Sequence, residues 1–539
     1  MFQQTLVPVG NLFVTVLVAF IPLVLLLFML AGLRMSAWKA TIIAGAVTAL
    51  MGIVVWGTPA DQMARAYLYG GLQGAWAINW ITFWGLILFN TLILTGEFDK
   101  FKNWIVHHAT NDIRIQTLML AWAFGALLEG LVGFGYPWAV IAPILIGFGL
   151  KDLDAIRVAA LANNAPVSYG ALGAPIITLA TVTGLPLMAV SGGVGNIVAI
   201  LALAPPWILL YLVSGRKGML EAWPLAIIGS LAYIAGQWPV ARYVGPYLPD
   251  VTGALVCFFA LFAFTKVWRP AVVRGPGGTP IGSAFDAKAS GEEAGSALRA
   301  WAPYIVLIVI VVAWTGPWAP RIGGALLPNY RILQLSISAI SSVTGMPAAS
   351  AFNFTPFSGG TAVLATWLVI LLMFRPSGAM IGQVFSKTFH QMWGALLVGF
   401  FIFGLAYAFV FSGMANSMAK GCAELGPAFI ILAPILGWVG VALSGSNTST
   451  NAMFGPVQLA AGNLLGLPPL MLPAFNSVGA EVGKPIAPQT ASVGVSTSKF
   501  VRSEGEVIRH NMGWTLILLA YLIVIAVVVN WFFPSMMEV

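Results

Sequence analysis

Charge is what this sequence lacks. Only 8% of its 539 residues are Asp, Glu, Lys or Arg, against about 25% in an ordinary soluble protein. That scarcity, with 59% hydrophobic residues, excludes a soluble domain and indicates a polytopic membrane protein. Cysteine is nearly absent. Cys257 and Cys422 lie in or beside separate apolar runs, so neither a disulfide nor a metal site is expected. No nucleophile–base motif and no metal-ligand spacing appears, which argues against a membrane enzyme and against a cofactor. The net charge of +8 does not indicate nucleic acid, because the Lys and Arg residues sit in short loops where they set orientation.

What is present is a series of apolar runs, each roughly 17–25 residues long, the signature of helices rather than barrel strands. Asn11–Leu33 is the first, and nothing before Arg34 is charged, so it reads as a span and not a signal peptide. Arg34 and Lys39 place its far end in the cytoplasm, with both termini outside. Ala40–Trp56, Trp76–Thr95, Leu187–Val213, Ala222–Trp238 and Val251–Lys266 read as further spans. The stretch 266–299 is polar and rich in Gly, Pro and Ala, and reads as a flexible cytoplasmic linker.

The chain is organised around Leu127–Ile176. It is apolar, yet it carries Glu129, a cluster of Gly130, Gly133 and Gly135, and a second break from Asn163-Asn164 to Gly173-Ala174-Pro175. Freed backbone groups cost several kcal/mol each in hydrocarbon, so such breaks are tolerated only where they line a cavity. A second set of breaks follows one half-chain later. Thr95 corresponds to Ser412, Glu129 to Ser444, Asn164 to Asn476 and Gly173 to Gly483, at nearly constant offsets of 310 to 317 residues. The ordered series indicates an internal duplication. The loop after Thr95 is basic where that after Ser412 is not, and Lys499, Arg502 and Arg509 follow the second broken helix only. The halves are therefore expected to be inverted in the membrane.

The expected fold is an all-α polytopic membrane protein of about twelve spans plus two re-entrant hairpins, with fourteen spans as the alternative. Residues 1–218 form the first inverted repeat, with a hairpin at 115–149 and a broken helix at 156–182. Residues 219–299 hold two connecting spans and the linker. Residues 300–539 form the second repeat, with a hairpin at 427–464 and a broken helix at 468–497.

Site candidates come from the breaks. The second hairpin tip, SGSNTSTN from Ser444 to Asn451, is too polar for a span. A half-helix starting there aims free N–H groups and a positive dipole end inward, which suits a carboxylate. The plainer alternative is hydroxyls capping helix ends. Lys484 costs at least about 2.5–3.5 kcal/mol at a helix centre and must face a cavity or find a partner. Glu481 is one such partner, and an anionic substrate is the other reading. Glu129 must likewise pair or take up a proton, and Lys484, on the matching element of the other half, is a candidate partner for it. Substrate contacts are assigned to Gly133, Gly135, Asn163, Asn164, Ser168, Ser446, Asn447, Thr448, Ser449, Asn476, Lys484 and Gln489. Proton coupling is assigned to Glu129 and Glu481. A channel would need a continuous polar stripe, and only two localised breaks are present.

EGLVGFGYP, LANNAPVSYGALGAPI, GWVGVALSGSNTSTNAMFGPVQ and GKPIAPQTASVGV resemble the signature blocks of the L-lactate permease family. The resemblance spans both halves. It implies import of a 2-hydroxymonocarboxylate, L-lactate, D-lactate or glycolate, by proton symport across the bacterial inner membrane. Ser446-Asn447-Thr448 is similar to the hairpin tip of the sodium–dicarboxylate symporters, which implies an elevator-type scaffold with a moving transport domain, assembled as a homodimer. The family often has Asp where this chain has Asn447. Coupling would then rest on Glu129 or Glu481, or the protein is a sodium-coupled carrier of another small organic or inorganic anion.

Overall fold

A computed structural model describes residues 2–108, 110–133, 135–282, 297–315, 336–343, 347–352, 354–495 and 504–539. Among them, nine helices are long and apolar enough to cross a membrane. The count is ten if Asp152–Ala162 and Val167–Thr183, bent by 69° at their junction, form one broken span. The chain is thus a mostly helical, multi-pass membrane protein. Shorter apolar helices stand beside these spans, among them Tyr136–Gly147, within the hairpin expected at 115–149, and Gly359–Phe374. At 1.5 Å per residue the 16 residues of the latter reach about 24 Å, less than a hydrocarbon core of about 30 Å.

The fold is not purely α. Phe2–Gln3, Ser336–Ile340 and Pro347–Ala351 form a small sheet, in which the N-terminal strand pairs in parallel with the middle one. A further pair, Val273–Arg274 and Pro280–Gly282, lies within the stretch read as a flexible linker. Its anchor is ionic. The buried Arg114 guanidinium donates to Asp112 at 2.6 and 2.9 Å and to the Val272 carbonyl at 2.7 Å. Arg274 donates to Glu221 at 2.6 and 2.7 Å. Charge-assisted, bidentate contacts of this kind hold better than neutral ones. The start of the linker is therefore bound to the helical body, a correction to the reading from composition; residues 283–296 lie outside the described residues.

The helices sort into two packed groups. The first is built on two 35-residue helices, Ala60–Leu94 and Gly378–Ser412, with Ala37–Val54 and Gly359–Phe374 beside them. Their close approach depends on small residues, as membrane helix contacts generally do. A Cβ at Gly70 or Gly74 would collide with the backbone carbonyls of Phe403 or Gly399. Asn79 adds a hydrogen bond to the Leu396 carbonyl at 2.8 Å, and Asn90 bonds Thr388 and Gln391 at 2.9 and 2.8 Å.

The second group holds the breaks. One helix pair joins Gly125–Leu131 to Tyr136–Gly147, and another joins Phe429–Ser444 to Asn447–Leu464. Beside them run the interrupted helices Asp152–Ala162 with Gly170–Thr183, and Met471–Gly483 with Pro488–Val495. The same order of elements occurs in both halves: a 35-residue helix, a left-handed glycine (Gly96 or Gly413), a short helix, a hairpin and a broken helix.

Candidate functional site

Between the two groups lies a cavity of about 340 Å³. Its walls differ in character. The long-helix group contributes mainly apolar surface, from Trp38, Ile78, Met392, Val398 and Ile402, with Asn79 and Thr82 as polar exceptions. The hairpins and broken helices contribute Glu129, Gly133, Ser444, Ser446, Asn447, Thr448, Ser449 and Lys484.

The second hairpin tip is shaped by Gly445, whose φ of 75° is a left-handed conformation that other residues adopt at a cost. It ends one arm and lets the chain restart a helix at Asn447 two residues later. Ser446 caps that helix, its hydroxyl accepting from the Ser449 N–H at 3.2 Å. Capping therefore accounts for Ser446. It does not account for Asn447, which is 4% exposed and has no hydrogen-bond partner for either amide atom among the described residues. An unsatisfied buried polar atom costs about 1–3 kcal/mol, so this amide is free to meet a ligand in the cavity. The first-turn N–H groups beside it lack intrahelical acceptors by helix geometry, and the dipole end adds partial positive charge.

Lys484 stands across the cavity, at the end of Met471–Gly483. Its Nζ lies 2.5 Å from Glu129 Oε1. Its partner is therefore Glu129 from the other half of the chain, not the neighbouring Glu481 that spacing alone offers. Asn163 donates to Glu129 Oε2 at 3.1 Å, which occupies both carboxylate oxygens. Gly170 makes room for the carboxylate, because a Cβ there would lie 2.6 Å from Oε1. The pair is nearly dry, with side-chain exposures of 8% and 2%. Such a pair is poorly repaid for desolvation, and losing one partner leaves the other charge stranded. The site thus holds one cation, paired to a carboxylate that an incoming anion can replace.

Several predicted residues lie behind the cavity wall rather than on it. Ser168 donates its N–H to Glu481 Oε1 at 2.7 Å, while Glu481 Oε2 has no partner among the described residues. Asn476 donates to Asn451 at 3.2 Å, and Asn451 to Ser477 at 3.0 Å and to the Pro175 carbonyl at 3.1 Å. These bonds knit the two broken helices to each other and to the second hairpin helix, Asn447–Leu464. Asn164 is fully buried, with neither amide atom partnered among the described residues. Gly135 is the left-handed cap of Tyr136–Gly147 and abuts Thr490. Gln489 lies in Pro488–Val495, and its side chain is outside the described residues.

Sequence reading missed the opposite wall and one acid. Asn79 and Thr82 interrupt an apolar run, a signal that was available. Trp38 and Met392 give none. Asp250, 1% exposed, begins the helix Pro249–Val267 and packs on Gly130, next to Glu129. At the edge of an apolar run it looks like a loop charge.

The sequence matches the family described as L-lactate permease over residues 15–533. It is 32% identical to the glycolate permease GlcA of Escherichia coli, over 99% of each chain. Identity to the L-lactate permease of Escherichia coli is 31%, over 99% of this chain and 100% of that one. With the L-lactate permease of Bacillus subtilis it is 29% over the same shares. Among solved structures, the YdaH transporter of Alcanivorax borkumensis aligns over 88% of both chains, at 16% identity and a TM-score of 0.46.

Proposed function

Since this chain belongs to the L-lactate permease family and is a transporter rather than an enzyme, we propose that it imports a short 2-hydroxymonocarboxylate by proton symport. L-lactate, D-lactate and glycolate are the candidates, in keeping with relatives named for lactate and for glycolate, and the membrane is the bacterial inner membrane. The observation that carries this reading is the buried Lys484–Glu129 pair on a cavity that also holds the unpartnered Asn447 amide.

The substrate carboxylate takes Lys484 and the N–H groups at the start of Asn447–Leu464, and the 2-hydroxyl meets Asn447. Glu129, displaced from its cation and still buried, takes up a proton, since an unpaired carboxylate at this depth is very costly. Substrate and proton are then bound together, as symport requires. Glu481, also buried with one oxygen unpartnered, is the next candidate carrier. Purified protein in proteoliposomes should accumulate labelled L-lactate or glycolate when the outside is made acidic. Uptake equally fast without the gradient, or driven only by sodium, would overturn the proposal. The sodium-coupled reading is the second one because Asn447 replaces the Asp that the family often has.

The proposal includes inverted halves and an elevator-like movement of the hairpin group against the long-helix group. In its support, the cavity lies where these groups meet, one wall polar and the other largely apolar. Single cysteines at Lys102 and Lys420, which follow corresponding glycine breaks, should react with impermeant maleimide from opposite faces, Lys102 from the cytoplasm. Labelling of both from one face would exclude the inversion.

A further inference from the structure

Asp250 is a buried acid that the transport scheme does not use. Its Oδ1 accepts a hydrogen bond from the Tyr233 hydroxyl at 3.0 Å, and its Oδ2 has no partner among the described residues. Both residues are essentially inaccessible, at 1% and 0% exposure. The carboxyl sits directly behind the first hairpin tip, where a Cβ on Gly130 would lie 2.7 Å from Asp250 Cβ. The ionisable groups whose charge acts on it are Glu129 from the first hairpin, Glu481 and Lys484 from the second broken helix, Tyr233 from Trp223–Tyr243 and Tyr169 from the first break. Nothing ionisable comes from Thr117–Phe124, which also packs on the helix Pro249–Val267. Three acids therefore share one lysine, and that lysine is taken by Glu129.

We propose that Asp250 is a second proton-binding site of the transporter, whose proton must be in place when an anion occupies the cavity. The proposal rests on the reading of Lys484 as the anion site. With Glu129 paired to Lys484, an ionised Asp250 has no cation and only one hydrogen-bond donor, and an uncompensated buried charge is costly. Its proton offsets that cost and removes a negative charge from behind the site. When substrate arrives it brings another negative charge into a medium where charges interact strongly. An empty site whose Asp250 has lost its proton must regain one to accept the anion, so binding becomes linked to two protons, one on Glu129 and one on Asp250. The atoms balance: the substrate enters as an anion, each carboxylate gains one proton from water, and no other bond forms or breaks.

Linkage makes this countable, because the slope of log Kd against pH equals the number of protons taken up with the ligand. Binding of labelled L-lactate to the purified, full-length protein should weaken on the alkaline side with a slope approaching two, that is, about a hundredfold per pH unit. Asp250→Asn should lower that slope by about one, to tenfold per unit. Tyr233→Phe keeps the acid but removes a donor that favours its ionised form, so the alkaline weakening should begin at higher pH. An Asp250→Asn slope equal to wild type overturns the proposal. Should that variant not fold, an unmoved onset in Tyr233→Phe overturns it. Glu129→Gln provides the separation: an unchanged slope there removes Glu129 from the coupling scheme, while the effect of Asp250→Asn is still read against wild type.

Discussion

A Glu129→Gln protein is expected to exchange labelled lactate across a vesicle membrane yet fail to concentrate it when a pH gradient is imposed. Glutamine reproduces the shape of the protonated acid and keeps one acceptor for the Asn163 amide, which lies 3.1 Å from Glu129 Oε2 in the wild type. What it cannot do is change charge. In the resting protein the carboxylate holds Lys484 at 2.5 Å, so the substitution also frees the lysine without competition. Substrate affinity should therefore hold or improve, and it should lose its dependence on the proton carried at this position. Counterflow needs only binding and movement, and survives. At a pH where Asp250 keeps its proton whether the site is empty or filled, accumulation needs the Glu129 proton to travel with each anion, and should fall to the level seen without a gradient. The loss is one of coupling, so the comparison is the steady-state ratio of inside to outside substrate, not the initial rate alone. If the variant still reaches the wild-type ratio, the proton is carried elsewhere and Glu481 becomes the residue to test.

How much of this was legible beforehand depends on the scale of the interaction. Breaks in apolar runs are local: a glycine, a proline or an amide in a membrane segment is visible one residue at a time. The tips at Gly133–Gly135 and Gly445–Asn447, and the interruptions near Asn163 and Lys484, were therefore readable. Glu129 and Lys484 were singled out because charge in such a run requires a partner. Which partner is a long-range question. Spacing offers Glu481, three residues from Lys484, and the internal duplication offers Glu129 on the matching element of the other half; only the packing around the helix decides between them. In the structure Glu481 is turned to the Ser168 amide instead. The short sheet of Phe2–Gln3 with Ser336–Ile340 joins segments far apart in sequence, with no local pattern to announce it. The apolar wall gave no signal either, since Met392 and Val398 look like any other residues of a spanning helix. Asp250 was passed over for the opposite reason: a charge at the edge of an apolar run is normally a solvated one, and only tertiary packing buries it.

Lys484→Met should abolish binding where Asn447→Ala only weakens it, and the size of that difference tests which of the two polar features is the anion site. Truncating one member of a buried charge pair generally costs about 2–5 kcal/mol in binding, roughly 30-fold to beyond a thousandfold in Kd. In the proposed site Asn447 would donate or accept hydrogen bonds with a charged or hydroxyl oxygen, worth about 1–3 kcal/mol, so Asn447→Ala should weaken binding by roughly 5- to 150-fold. Ser446→Ala belongs with the smaller effect, because that hydroxyl is already engaged in capping Ser449 at 3.2 Å. A loss in Lys484→Met could also arise from damage to the fold, since it strands Glu129 in a site where that residue is 1% exposed. The double variant Lys484→Met with Glu129→Gln separates these causes. Replacing both charges by neutral groups is often tolerated where removing one is not, so its thermal stability should exceed that of Lys484→Met alone. Its affinity should not recover, because the cation is still missing. A double variant that regains wild-type affinity would show that Lys484 serves only to neutralise Glu129. The carboxylate of the substrate would then be held by the helix start at Asn447 and Thr448, whose N–H groups point the same partial charge at the same cavity.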